Sequence, residues 1–204
     1  MNASGYYPAL FGNGGVSIES GSQVEATSTG DAGIFSRGDV SIQNSTVKVS
    51  EAENYYAVTA NGTTTVTGSW VETNHENSVN GSITDSVLFN GDSGTVIGNA
   101  TLLGNTTLDA GKTLVIPEGA SLSVGAGNTF TNNGVVTVKG GFSTDGGTLV
   151  CNNHSGGTAT CTAPAHCDVC QKSYGDKNPA NHTALQHVDA KAATTEAEGN
   201  IEYW

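Results

Sequence analysis

An all-β chain, wound into a right-handed parallel β-helix with a small irregular Cys/His-rich C-terminal segment, is predicted by three features of the sequence. Gly14, Gly38 and Gly62 recur at a constant interval (38−14 = 24; 62−38 = 24). Each is followed two residues later by the same alternating segment: Val16-Ser17-Ile18, Val40-Ser41-Ile42 and Thr64-Thr65-Val66. A fixed period of this length with alternating apolar residues is the pattern of a chain stacking identical coils. The third feature is composition. Charged residues make up 13% of the 204-residue chain against about 25% in ordinary domains, and Thr, Ser, Asn and 28 glycines take their place, which favours strands and turns over helices.

Taken in order, residues 6–150 read as the solenoid. Leu10-Phe11 aligns with Ile34-Phe35 and Val58-Thr59, and Val47-x-Val49 with Val71-x-Thr73, so each coil over 6–73 carries three strands within one glycine interval. The first coil is one residue longer, because Val24 precedes Val47 by 23, and a bulge or loosened turn between Ile18 and Val24 absorbs the difference. Register weakens over 74–86, which reads as a loop or shorter irregular coil. Over 87–150 apolar positions recur every six to eight residues, as at Leu102, Leu108, Leu114, Leu122, Phe130 and Val136, between turn signals such as Pro117-Glu118-Gly119 and Asn132-Asn133-Gly134. Those spacings predict a second stretch of solenoid with narrower faces. Strands stacked about 4.8 Å apart would pair with the coils above and below, around one continuous core.

The run Gly33-Ile-Phe-Ser-Arg-Gly-Asp-Val-Ser-Ile42, the run from Leu108 to Val124, and Thr131-Asn-Asn-Gly-Val-Val136 resemble the β-helix repeats of large extracellular surface proteins of gut Firmicutes, of adhesin-like and carbohydrate-binding-like description. The resemblance covers most of residues 6–150 and implies fold and an extracellular or cell-surface location, without a ligand. The start Met1-Asn2-Ala3-Ser4-Gly5 lacks the basic and apolar parts of a secretory leader, while Tyr7 to Phe11 already reads as a strand. The N-terminus is therefore expected to be a cut within a longer protein, whose further coils or domains would be neighbours.

Composition changes at Cys151. All four cysteines lie in Cys151-x9-Cys161-x5-Cys167-x2-Cys170, with His154, His166, His182 and His187 nearby. Cys-x2-Cys presents two thiolates on one tight turn, and the expected zinc set is Cys161, Cys167 and Cys170 with His182, or His154, as the fourth ligand. Disulfides, for instance Cys151 with Cys161, and free thiols are the competing readings. Residues 151–186 are then a cap over the last coil, the role being structural because only Asp168 is available locally as a base. By resemblance to Cys/His modules of the same surface proteins, 187–204 is the truncated start of a second module or an extended tail.

A net charge of −12, without a cluster of Lys or Arg, argues against nucleic acid and anionic membranes as partners, and no apolar run is long enough to span a bilayer. Catalysis is not expected: Asp31, Asp39, Asp85, Asp92 and Asp109 occupy turn positions, and no acid and base recur at coil spacing. Arg37-Gly38-Asp39 spells an integrin-recognised tripeptide, but its glycine belongs to the repeat. Trp70, if outward with Glu72, and Tyr7 and Tyr55, two coils apart on one corner (55−7 = 48), are candidate rings for stacking on sugars, the alternative being packing on neighbouring turns. The sequence thus predicts a non-enzymatic structural or adhesive module facing extracellular glycan or host and matrix protein, with a carbohydrate-binding module as second reading and a polysaccharide lyase or glycosidase on the β-helix as a remote third.

Overall fold

The protein is described by a computed structural model covering residues 1–51, 55–74, 76, 79–181 and 189–199. It is all-β, without a helix among the described residues, and forms a parallel β-solenoid of about 6 turns. The first stack runs through β1 (Asn2–Gly5), β2 (Leu10–Gly12), β3 (Gly15–Ile18), β4 (Gln23–Ser28), β5 (Ile34–Ser36), β6 (Asp39–Gln43), β7 (Thr46–Ser50), β8 (Val58–Ala60), β9 (Thr64–Thr67), β10 (Trp70–Thr73), β11 (Ser82–Thr84) and β12 (Ser86–Asn90). The second comprises β13 (Ser93–Ile97), β14 (Asn99–Leu102), β15 (Thr106–Leu108), β16 (Thr113–Ile116), β17 (Ser121–Val124), β18 (Thr129–Asn132), β19 (Val135–Val138), β20 (Gly141–Ser143) and β21 (Thr148–Cys151). A small antiparallel pair, β22 (Ala165–His166) and β23 (Ser173–Tyr174), follows.

The glycine period is the strand register itself: Leu10, Ile34 and Val58 are paired neighbours, as are Ile18, Ile42 and Val66. Glycine is required at the period because successive turns touch. A Cβ at Gly38 would lie 2.3 Å from the Gly14 carbonyl oxygen, and one at Gly62 would lie 3.0 Å from the Gly38 carbonyl. The extra residue of the first coil sits at the Ser20-Gly21 turn, where both residues have left-handed backbone (φ 60° and 75°). At the next corners a single left-handed residue suffices: Asn44, Gly68 and Asp85. Each precedes a buried serine, and these serines form a ladder. The Ser69 hydroxyl accepts from the Ser45 N–H at 3.2 Å, and the Ser86 hydroxyl from the Ser69 N–H at 3.1 Å. Buried backbone donors at the corner are thereby satisfied. The segment expected to be irregular contains β11 and takes a shortened step, Val71 pairing with Leu88 (88−71 = 17).

The largest departure from one continuous column comes at β12. It pairs in parallel with β10 but antiparallel with β13, through a hairpin at 90–93, so the strand direction reverses while the sheet continues. The eight-stranded sheet, in order β1-β4-β7-β10-β12-β13-β16-β19, is shared by both stacks. The cores lie on its opposite faces. Val47, Val49 and Val71 belong to the core with Ile34, Val40 and Ile42, with Leu88 packed against it, whereas Trp70, Val87, Phe89 and Val96 join Leu102, Leu114, Leu122 and Phe130. Side chains alternate across a strand, so β10 and β12 feed both cores. All four residues of β10 are buried for this reason. In the second stack Leu114 pairs with Val136 (136−114 = 22) and Leu122 with Phe142 (142−122 = 20), so its coils are shorter than those of the first.

Candidate metal centre

The chain after β21 closes the free edge of the second stack. Ser155 behaves as a substitute strand: its hydroxyl donates to the Val136 carbonyl at 2.8 Å and accepts from the Val136 N–H at 3.2 Å. Asn153 Nδ2 donates to the Gly134 carbonyl at 2.7 Å. Cys167 and Val169 are buried at the end of the core formed by Phe130 and Val136. Edge groups that would otherwise invite strand addition are thus covered.

Within this cover, Cys151, His154, Cys167 and Cys170 converge, each offering one ligand atom, all within 4.8 Å of one another. Cys151 ends β21, fixed there by pairing with Asn132. Asn132 is fully buried, and its Nδ2 lies 3.8 Å from the Cys151 sulfur and 3.0 Å from the Asn153 carbonyl. Cys167 and Cys170 flank a tight turn, closed by the Gln171 N–H donating to the Cys167 carbonyl at 2.9 Å and by left-handed backbone at Gln171 (φ 59°). The pairing of β22 with β23 holds that turn in place. Cys151 and Cys167 sulfurs are 3.9 Å apart, and His154 Nδ1 lies 3.5 Å from Cys151 and 3.3 Å from Cys170. A tetrahedral zinc with Zn–S of about 2.3 Å and Zn–N of about 2.0–2.1 Å has ligand edges of roughly 3.8 Å between sulfurs and roughly 3.6 Å between sulfur and nitrogen. Those three edges are near the tetrahedral values and the whole set lies within 4.8 Å, compatible with a closed Cys3His site and far wider than the roughly 2.03–2.05 Å of a disulfide.

The site's electrostatics suit a cation. Burial pushes the Cys167 thiol up, but the backbone N–H groups of Cys170, Ser155 and Val169 and the His154 ring stabilise its thiolate and bring it down to about 6. Cys151 is pushed up to about 12, by burial first and then by the neighbouring sulfurs of Cys170 and Cys167. One thiolate forms readily and opposes formation of the next, the condition that a divalent cation relieves.

The sequence-predicted ligands divide accordingly. Cys167 and Cys170 are in the group with His154, the alternative fourth ligand, whereas Cys161 is not. Its N–H donates to the Asn181 carbonyl at 3.0 Å, tying it to a separate loop, and Cys151 occupies the place expected for it. A Cys151–Cys161 disulfide is not formed, all four cysteines being free. His182 and His187 lie outside the described residues, and His166 is exposed with Nδ1 at the Gln171 carbonyl. The signal that would have found the set is its symmetry, Cys151-x2-His154 matching Cys167-x2-Cys170. Of the tail 187–204, residues 189–199 are described and exposed.

Other candidate residues also resolve. Trp70 does not face outward: it is 2% exposed, packed at 5.0 Å from Phe89 and 6.1 Å from Phe130, because the second stack covers that face. It is withdrawn from the set of sugar-stacking rings. Tyr7 and Tyr55 remain exposed, at 76% and 47%. Both arms of Arg37-Gly38-Asp39 are engaged between coils: Arg37 donates to Asn13 Oδ1 and lies over the Phe11 ring, and Asp39 accepts from the Thr63 N–H at 2.7 Å. Asp31 and Asp85 likewise accept backbone N–H groups, of Ala32 and Asn99. Contrary to the sequence reading, acid and base do recur at coil spacing: Glu25 is paired with Lys48 and Lys48 with Glu72 in strand register. No protein-family model, no curated protein and no solved structure matches this chain.

Proposed function

We propose that this chain is a non-enzymatic structural module, a stiff β-solenoid whose C-terminal end is locked by a structural zinc, serving as a display or adhesive segment of an extracellular or cell-surface protein. The single observation that carries the structural reading is the seating of Cys151, His154, Cys167 and Cys170 against the last coil, their donor atoms within 4.8 Å of one another and no carboxylate in the group. Four protein ligands leave no open position for a reacting water. Asp31, Asp39 and Asp85 accept backbone N–H groups, a holding role. Surface display draws on the resemblance of residues 33–42 and 108–136 to repeats of extracellular proteins.

Elemental analysis of the purified chain is expected to give about one zinc per chain, with four titratable thiols after chelation and unfolding. Chelation is expected to lower the melting temperature of the second stack. A metal-free protein with oxidised cysteines would overturn the zinc lock. A second reading, glycan contact through exposed rings, is favoured by Tyr6, Tyr7, Phe11, Tyr55 and Tyr56, all exposed on the first stack. It predicts that Tyr7→Ala and Tyr55→Ala variants lose any binding seen on a glycan array.

A further inference from the structure

Where the second stack lies on the shared sheet, its outer margin leaves a groove with a built polar floor. Glu25, Lys48 and Glu72 stand side by side on neighbouring strands β4, β7 and β10, about 4.8 Å apart. Glu72 is 6% exposed and locked: it accepts from Trp70 Nε1 at 2.7 Å and pairs with Lys112 from the second stack and with Lys48 at 3.4 Å. Lys48 also reaches Asp109 at 3.6 Å. An ammonium has three N–H donors, so Lys48, with two carboxylates beside it, keeps one for a ligand. Glu25 is exposed, and its carboxylate has no hydrogen-bond or ion-pair partner among the described residues.

Two adjoining cavities, of about 340 and 380 Å³, share these three residues. Around them one cavity is lined by Gln23, Thr46 and Thr107 with the apolar Val24 and Trp70, the other by Ser50 and Asp92, so the walls mix hydrogen-bonding groups with apolar surface. Glu25, Glu72 and Asp92 against Lys48, Lys112 and the Met1 ammonium leave the lining balanced (3 − 3 = 0), on a chain of net charge −12. The net charge of the chain opposes phosphate, sulfate and uronate ligands, and a cationic ligand meets three ammonium groups. A neutral ligand with adjacent hydroxyls meets neither obstacle. Each hydroxyl both donates and accepts, and the Glu25–Lys48 pair offers an acceptor beside a donor across one strand spacing.

We infer that the groove over Glu25, Lys48 and Glu72 is a binding site for a neutral saccharide, held by hydroxyl contacts to Glu25 and Lys48. This site is separate from the zinc lock and from the exposed tyrosines. The test uses the full chain on an array of immobilised neutral oligosaccharides, with uronate oligosaccharides and a basic peptide alongside, followed by calorimetric titration of the best neutral saccharide. Wild type is expected to bind at least one neutral saccharide, with affinity falling by about tenfold or more in Glu25→Gln and in Lys48→Met. Glu25→Gln breaks no contact within the protein, so its loss of binding cannot be ascribed to misfolding. Chelated protein is expected to bind as wild type does, and loss of binding in Tyr7→Ala with full affinity in both groove variants would assign the ligand to the exposed rings and overturn the groove site. Binding confined to uronates or to the peptide, no neutral saccharide bound, or full affinity in both groove variants would overturn the site, whereas loss on chelation alone would move the ligand to the metal end.

Discussion

Trp70 owes its burial to residues more than fifty positions further along the chain, because Phe130 closes one side of a ring that a single column would leave in water. Trp70→Ala should therefore cost about 3–5 kcal/mol in urea unfolding, the usual penalty for emptying a packed aromatic site. Tyr7→Ala, at an exposed ring, should stay within about 0.5 kcal/mol. At the metal centre, Cys151→Ser should abolish stoichiometric zinc while Cys161→Ser retains it, as read by elemental analysis. Retention of zinc by both variants would refute the assigned set. Asp39 makes a pH prediction. The Thr63 backbone N–H first, and its hydroxyl second, hold the Asp39 carboxyl below its ordinary 3.8. A folded-state value under the unfolded one gives a stabilising contribution that is present above pH 3.8 and lost as the pH falls through the lowered value. A carbon-detected NMR titration should place the midpoint under 3.8, and Thr63→Val should return it part of the way. Among these residues, the Cys167-x2-Cys170 turn was legible in the sequence because two thiolates on one turn need only local geometry. Cys151 was not, since its position depends on pairing with Asn132 one coil earlier.

Among the elements, β12 and β13 form the joint at which one stack becomes two. Phe89 lies directly opposite Gly94 across the hairpin, and a Cβ at Gly94 would sit 2.3 Å from Phe89 Cζ. Gly94→Val should displace the ring from the second core and cost about 1–3 kcal/mol, a typical overpacking penalty, with a lowered melting temperature as the readout. The coils of 6–73 were legible because close approach forces glycine at Gly38 and Gly62, and the register repeats that spacing. The reversal at 90–93 was not. A run such as Ser86-Val87-Leu88-Phe89 reads equally as a strand buried on one face or on both, and only long-range packing decides.

For the whole molecule, the seam between stacks is held by Trp70, Phe89 and the Glu72–Lys112 pair. Glu72→Ala strands the buried Trp70 N–H, while Lys48 and Lys112 both keep Asp109, so it should cost about 1–3 kcal/mol. Hydrogen exchange should then show β13–β19 opening independently of β4–β9, where wild type protects both together. Unchanged joint protection would show that apolar packing alone carries the seam. The ladder Glu25–Lys48–Glu72 was visible in principle at spacings of 23 and 24 (48−25 = 23; 72−48 = 24), the second equal to the glycine interval and the first one short of it, as for Val24 and Val47, but its location in a groove rather than on an open wall follows from the second stack. One consequence follows from β12 serving two interiors by parity. Odd-numbered side chains such as Val87 and Phe89 point into one compartment and even-numbered Leu88 into the other, so deleting a single residue ahead of β12 would exchange the two sets and mismatch both halves at once.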